Sequence, residues 1–175
     1  MEYPSSNQGL ANILEVLDTM IEILDNSSRA YQKMALEALP NGARAMLNWF
    51  YYIETIRLRR LCDRRRSLLN RHPELSNVKI YSPRGNTGLS KMGNTNGLLR
   101  KAEPLDILRF AIENEARAMA FFSRKAKSAV DATQRLMLSA AIKEQETHIN
   151  SLARKRQELM QRQINKGAEA MDLAH

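Results

Sequence analysis

The sequence predicts an all-α protein folded as one four-helix bundle. Three features carry that expectation: long tracts with the three- and four-residue apolar spacing of helices, prolines and glycines gathered mostly in one central stretch, and short turn signals on either side of it. At 175 residues, with 43% hydrophobic and 26% charged content, the chain can bury one sizeable core. Nothing approaches about eighteen consecutive apolar residues, and MEYPSSNQG does not lead from a basic into an apolar segment. Neither a membrane span nor a secretory signal is therefore expected, and the expected location is cytoplasmic. The lone Cys62 excludes an intrachain disulfide and an all-cysteine metal site, in keeping with a reducing compartment.

The first helix is expected from about Leu10 to Leu39, with Leu10, Leu14, Leu17, Ile21, Leu24, Tyr31 and Ala35 on one face. Pro40-Asn41-Gly42 ends it in a tight turn. The second runs from about Ala43 to Asn70 through Leu47, Phe50, Tyr51, Leu58, Leu61 and Leu68, until His72-Pro73 stops it. So short a link makes these two helices antiparallel neighbours. Between His72 and Glu103 the periodicity gives way to a glycine- and asparagine-rich stretch too long for a hairpin turn. Pro104 suits the first turn of a third helix reaching about Val130, and Asp131 is a good N-cap for a fourth reaching about Asn165.

Two inward-facing polar groups break this pattern. Glu115 lies on the stripe made by Leu108, Ala111, Ile112, Ala118, Met119 and Phe122, and Glu144, Gln145 and His148 interrupt the stripe of Leu138, Ala141, Ile149 and Leu152. A buried carboxylate without a partner is costly, so something must face it. Short link, long crossover, short link is the connectivity of a ferritin-like bundle: two antiparallel helix hairpins joined by one long crossover. Helices of roughly 28 residues, about 42 Å each, suit that layout. The expected domain is 1–165, with the crossover loop at 72–103 and a flexible C-terminal tail at 166–175. A short internal repeat agrees: Glu54-Thr55-Ile56-Arg57 in helix two and Gln145-Glu146-Thr147-His148 in helix four each set polar groups three apart.

The tract Phe110-Ala111-Ile112-Glu113-Asn114-Glu115, then Phe121-Phe122, then Ala140-Ala141-Ile142-Lys143-Glu144-Gln145-Glu146-Thr147-His148, resembles the second half of rubrerythrin-like members of the ferritin-like superfamily. The resemblance covers about residues 105–155 and extends to the first hairpin by layout alone. It implies two irons held by a glutamate from each of two helices and a Glu-x-x-His pair from each of the others. Glu54, Glu115 and His148 match that pattern. Gln145 stands in place of a glutamate, Arg57 in place of a histidine, and Leu24 in place of the first helix's glutamate, unless a register slip turns Glu22 or Asp25 inward. Arginine has no lone pair for a metal, and its donors suit buried carboxylates.

Two readings follow. In one, Glu54, Glu115, Glu144 and His148 hold a single iron ion, one rather than two. In the other, Arg57 replaces the iron's charge, Gln145 and His148 complete a hydrogen-bonded layer, and no metal is needed. If activity remains, the resemblance implies an iron-dependent oxidoreductase of rubrerythrin type; the chain has no CxxC pair to supply electrons, and nothing in the sequence requires a partner that does. The resemblance also implies a homodimer.

The other class of reading is electrostatic. Net charge is +8 and the sequence pI is 9.9, and Arg57, Arg59, Arg60, Arg64, Arg65, Arg66 and Arg71 crowd the second half of helix two. On that reading the chain is a non-catalytic binding or scaffold module that offers this surface to nucleic acid or another anionic partner. The ordinary reading of such a run is a solvated helix end. Tyr31, Tyr51 and Tyr52 either face the centre or, as aromatics at helical spacing usually do, fill the core, and the nine methionines read as core filling.

Overall fold

The helix boundaries follow from how each hairpin closes. The computed structural model describes residues 6–77 and 102–172. Helix α1 (Ser6–Glu37) stops short of Pro40, whose extended backbone (φ −67°, ψ 129°) leads directly into α2 (Asn41–Arg71). The Arg44 guanidinium reaches back to donate to the Ala38 carbonyl, at 2.8 Å from Nη2 and 3.3 Å from Nε, meeting an acceptor that the end of α1 leaves open. The second hairpin repeats the device. Between α3 (Pro104–Ser128) and α4 (Ala132–Asp172), the Asp131 carboxylate accepts the Gln134 N–H at 2.8 Å, as expected of an N-cap. Arg135 then donates back to the carbonyls of Ala129 at 2.9 Å and Val130 at 3.1 Å.

The hairpins sit side by side with unlike helices parallel. A Cβ on Gly42 would lie 3.2 Å from Pro104 Cγ, so α2 and α3 start together, and one on Gly9 would lie 4.0 Å from Thr133 Oγ1, so α1 and α4 start together. Arg71 and Pro104 therefore stand at opposite ends of the bundle, which is the arrangement a long crossover serves. Most of that expected loop, 78–101, lies outside the described residues; its first part is a 3-10 turn, Pro73–Asn77, that packs Leu75 into one end of the core.

Buried apolar residues form two clusters, one towards each end. The first gathers Leu14, Leu17, Leu24, Leu61, Phe122 and Leu138; the second gathers Tyr31, Leu47, Phe50, Ile107, Leu108 and Leu152. The two halves match at a constant offset of 91 residues: Leu17 with Leu108, Ala38 with Ala129, Arg44 with Arg135, Leu47 with Leu138, and Leu61 with Leu152. Glu54 with Gln145 and Arg57 with His148 obey the same offset, which extends the short repeat seen in the sequence to both hairpins. Glu115 corresponds to Leu24. The pseudo-repeat explains the shared layout, and these three pairs show where it is broken.

Helix α4 continues past Asn165 to Asp172, so the start of the expected tail is helical. Beyond Leu152 its described side chains leave the core: Leu159 is half-buried, and Met160 and Ile164 are exposed. Among the described residues, no helix is long and apolar enough to cross a membrane. Burial sets the energetic contrast along this helix. Leu152→Ala is expected to destabilise the protein by about 2–5 kcal/mol, and Met160→Ala by no more than about 0.5 kcal/mol, as read by urea denaturation.

Candidate functional site

A polar layer lies between the two apolar clusters. Its members come from all four helices: Ser27 from α1, Glu54 and Arg57 from α2, Asn114 and Glu115 from α3, and Gln145 and His148 from α4. All are buried except His148, which is half-buried. The same spacing that builds the core puts them there. Glu54 and Arg57 continue the face of Leu47, Phe50 and Leu61, and Glu115 sits one turn after Ala111.

Arg57 organises the layer. Its Nη1 donates to Glu54 Oε1 at 2.9 Å and Oε2 at 3.2 Å, and to Glu115 Oε2 at 3.4 Å. Its Nε lies 3.6 Å from Glu144 Oε1. One guanidinium thus faces three carboxylates, two of them shut off from water. The ligating atoms of Glu54, Glu115 and His148 also lie within 4.8 Å of one another, a separation that one metal ion can span. Glu144, expected among the inward ligands, stands at the rim with its side chain 44% exposed, on Arg57 and outside that group of three.

The electrostatics reflect an excess of negative charge. Burial, followed by the Glu115 carboxylate, pushes Glu54 up to about 7 against the opposing pull of Arg57. Burial likewise raises Glu115. Arg57 is held above its ordinary value: burial opposes its charge, and the carboxylates of Glu54, Glu115 and Glu144 outweigh burial. Burial and then the Arg57 charge lower His148 to about 4, so at neutral pH its imidazole is uncharged and keeps a lone pair. A single guanidinium does not balance the layer. Protons or a further cation must make up the difference.

Helix α1 brings no carboxylate to the layer. Leu24 is buried as the apolar stripe requires, and Glu22 and Asp25 lie along an open groove of about 480 Å³ between α1 and α2, with Asp18, Leu58, Cys62 and Arg65. What α1 adds is Ser27, whose Oγ accepts from Asn114 Nδ2 at 3.2 Å, and Tyr31. Tyr31 is fully buried and stacks on Phe50 at 5.1 Å; burial first, then Glu115 and Glu54, hold its phenol well above its ordinary range and hence neutral. Tyr51 is half-buried and Tyr52 exposed. Tyr31 Oη, Asn114 Oδ1 and Gln145 Oε1 are buried with no hydrogen-bond partner among the described residues. Ser27 and Asn114 do not stand out in the sequence, since a small polar residue on an apolar stripe reads as packing; of the three tyrosines, Tyr31 is the one that is fully buried. Compared with protein-family models, with curated proteins and with solved structures, the chain returns no match.

Two outcomes follow from this charge balance. Arg57→Met keeps much of the volume and strands two buried carboxylates, so a loss of about 3–5 kcal/mol is expected at pH 8, with a smaller loss at pH 5, where protons neutralise them; urea denaturation at both pH values checks it. The second concerns pH itself. Folded Glu54 keeps its proton to about pH 7, against 4.5 for an unperturbed carboxyl, so across that window the folded state binds more protons and stability falls as pH rises. His148 acts in the opposite sense between about 4 and 6.5, and its contribution is complete above 6.5. From pH 6.5 to 8 the carboxylates alone act, so metal-free protein is expected to lose roughly 1 kcal/mol, about 2–4 °C in Tm, and Glu54→Gln to flatten the slope in thermal melts.

Proposed function

We propose that this chain is a ferritin-like bundle related to rubrerythrins, in which a two-iron centre has become a site for one ion. Glu54, Glu115 and His148 hold that ion, and Arg57 stands where a second would carry its charge. The observation that carries this reading is the convergence of two carboxylates and an imidazole within 4.8 Å, in a layer with more negative than positive groups. The connectivity supports the fold half of the reading: parallel α2 and α3 require the crossover that ferritin-like bundles have.

The donor set fits such an ion. Carboxylate oxygen with neutral imidazole nitrogen suits iron(II) and its divalent neighbours, and the low proton affinity of His148 leaves its lone pair free near pH 7. Gln145 Oε1, three residues before His148 on the same helix, is a further buried oxygen without a donor among the described residues. When bound, a single ion supplies Lewis acidity and, if it is iron, one-electron chemistry. The chain's own residues do the rest: the apolar clusters keep water out on either side, Arg57 holds Glu54 and Glu115 in place, and Glu144 marks the edge open to solvent. Arg57 offers no lone pair and Leu24 no oxygen, so binding of one ion is favoured over the adjacent-metal reduction of peroxide that rubrerythrins perform.

Elemental mass spectrometry of protein purified without chelators tests the reading. About one iron or other divalent ion per chain is expected, a near-complete loss in His148→Ala, and greater loading in Arg57→His, Gln145→Glu. A metal-free native protein whose double variant takes up metal would overturn it in favour of an ion-paired structural layer.

A further inference from the structure

The second half of α2 carries a charge arrangement that the central site does not use. The helix has eight arginines and no lysine. Arg57 is buried in the polar layer, Arg44 closes the first hairpin, and Arg65 pairs with Asp18. The remaining five, Arg59, Arg60, Arg64, Arg66 and Arg71, are exposed. Among the described residues only Arg66 has an ion-pair partner, Asp63 at 3.2 Å. The helix dipole acts over the last turn and so accounts for Arg71 alone, while Arg60 and Arg64 form a like-charged pair at i,i+4 that weakens the helix by a few tenths of a kcal/mol. A helix needing only solubility has no reason to keep that pair.

The arginines are in line with exposed aromatic rings. Tyr52, Arg59 and Arg66 recur every seven residues, about 10.5 Å apart, and Trp49 begins the neighbouring line through Ile56 to Arg60. Trp49 is 43% and Tyr52 61% exposed. The Trp49 indole packs edge-on against the buried Phe50 at 5.1 Å, which holds its outer part in a fixed attitude.

We propose that this outer face of α2 binds single-stranded nucleic acid, with phosphates on Arg59, Arg60 and Arg66 and bases stacked on Trp49 and Tyr52. Guanidinium groups match phosphate oxygens in pairs, which a run of arginine without lysine favours. Exposed rings beside them select a strand whose base faces are free, since in a duplex those faces are stacked on one another. This surface is separate from the central layer, so it stands whether or not the bundle holds an ion.

Trp49 is the only tryptophan, so its emission reports stacking directly. Titrating the full chain with an oligothymidylate strand of about twenty nucleotides is expected to quench that emission, with binding that weakens steeply as salt rises. Arg59→Gln with Arg60→Gln is expected to flatten the salt slope by about 1.4, and Tyr52→Ala to weaken the oligonucleotide roughly tenfold while leaving affinity for inorganic polyphosphate unchanged. Both variants should keep the parent's helix content and Tm. The proposal is overturned by an absence of quenching at low salt, by equal affinity for a duplex of the same length, or by a Tyr52→Ala effect as large on polyphosphate as on the oligonucleotide.

Discussion

One guanidinium between buried carboxylates sets the terms for the rest of this molecule. Arg57 bonds Glu54 on its own helix and Glu115 on the neighbouring hairpin, so it is both a charge partner and a tie between α2 and α3. In a medium of low dielectric, neither carboxylate is stable as an anion without it. The apolar clusters on either side make the layer strong and demanding at once, because they remove the water that would otherwise solvate each charge. Burial raises the proton affinity of Glu54 and Glu115 against the opposing pull of Arg57, so the demand is only partly met.

The frame around this layer is close to a repeat. Each hairpin ends its first helix on a buried alanine whose carbonyl accepts from an arginine six residues on, and each then carries its leucines at matching positions. Such a frame presents equivalent positions to the centre. The charge of the centre depends on where they differ: glutamate against glutamine at 54 and 145, arginine against histidine at 57 and 148, leucine against glutamate at 24 and 115. A near-symmetric backbone with an asymmetric lining thus sets one guanidinium among several carboxylates.

Arginine has two opposed uses on α2. Arg57 is buried, its charge matched by carboxylates, and it contributes to the core. Two residues on, Arg59 is exposed and has no ion-pair partner among the described residues. A rotation of about 200° around the helix separates these two environments, and the helical period alone assigns them.

The sequence by itself determined the helices, their turns and the inward direction of Glu54, Glu115 and His148, because periodicity, Pro40, Asp131 and Pro104 act locally. It also made Arg57 the expected partner, since a buried acid needs a cation and this was the one at the right spacing. Tertiary structure alone decided that Arg57 reaches a third carboxylate on Glu144, that Glu144 stays at the rim, and that α1 contributes Ser27 and Tyr31 in place of an acid. Those outcomes depend on how far a side chain extends across the space between helices. That distance is set by the packing of the whole bundle and leaves no trace in the spacing along any one helix.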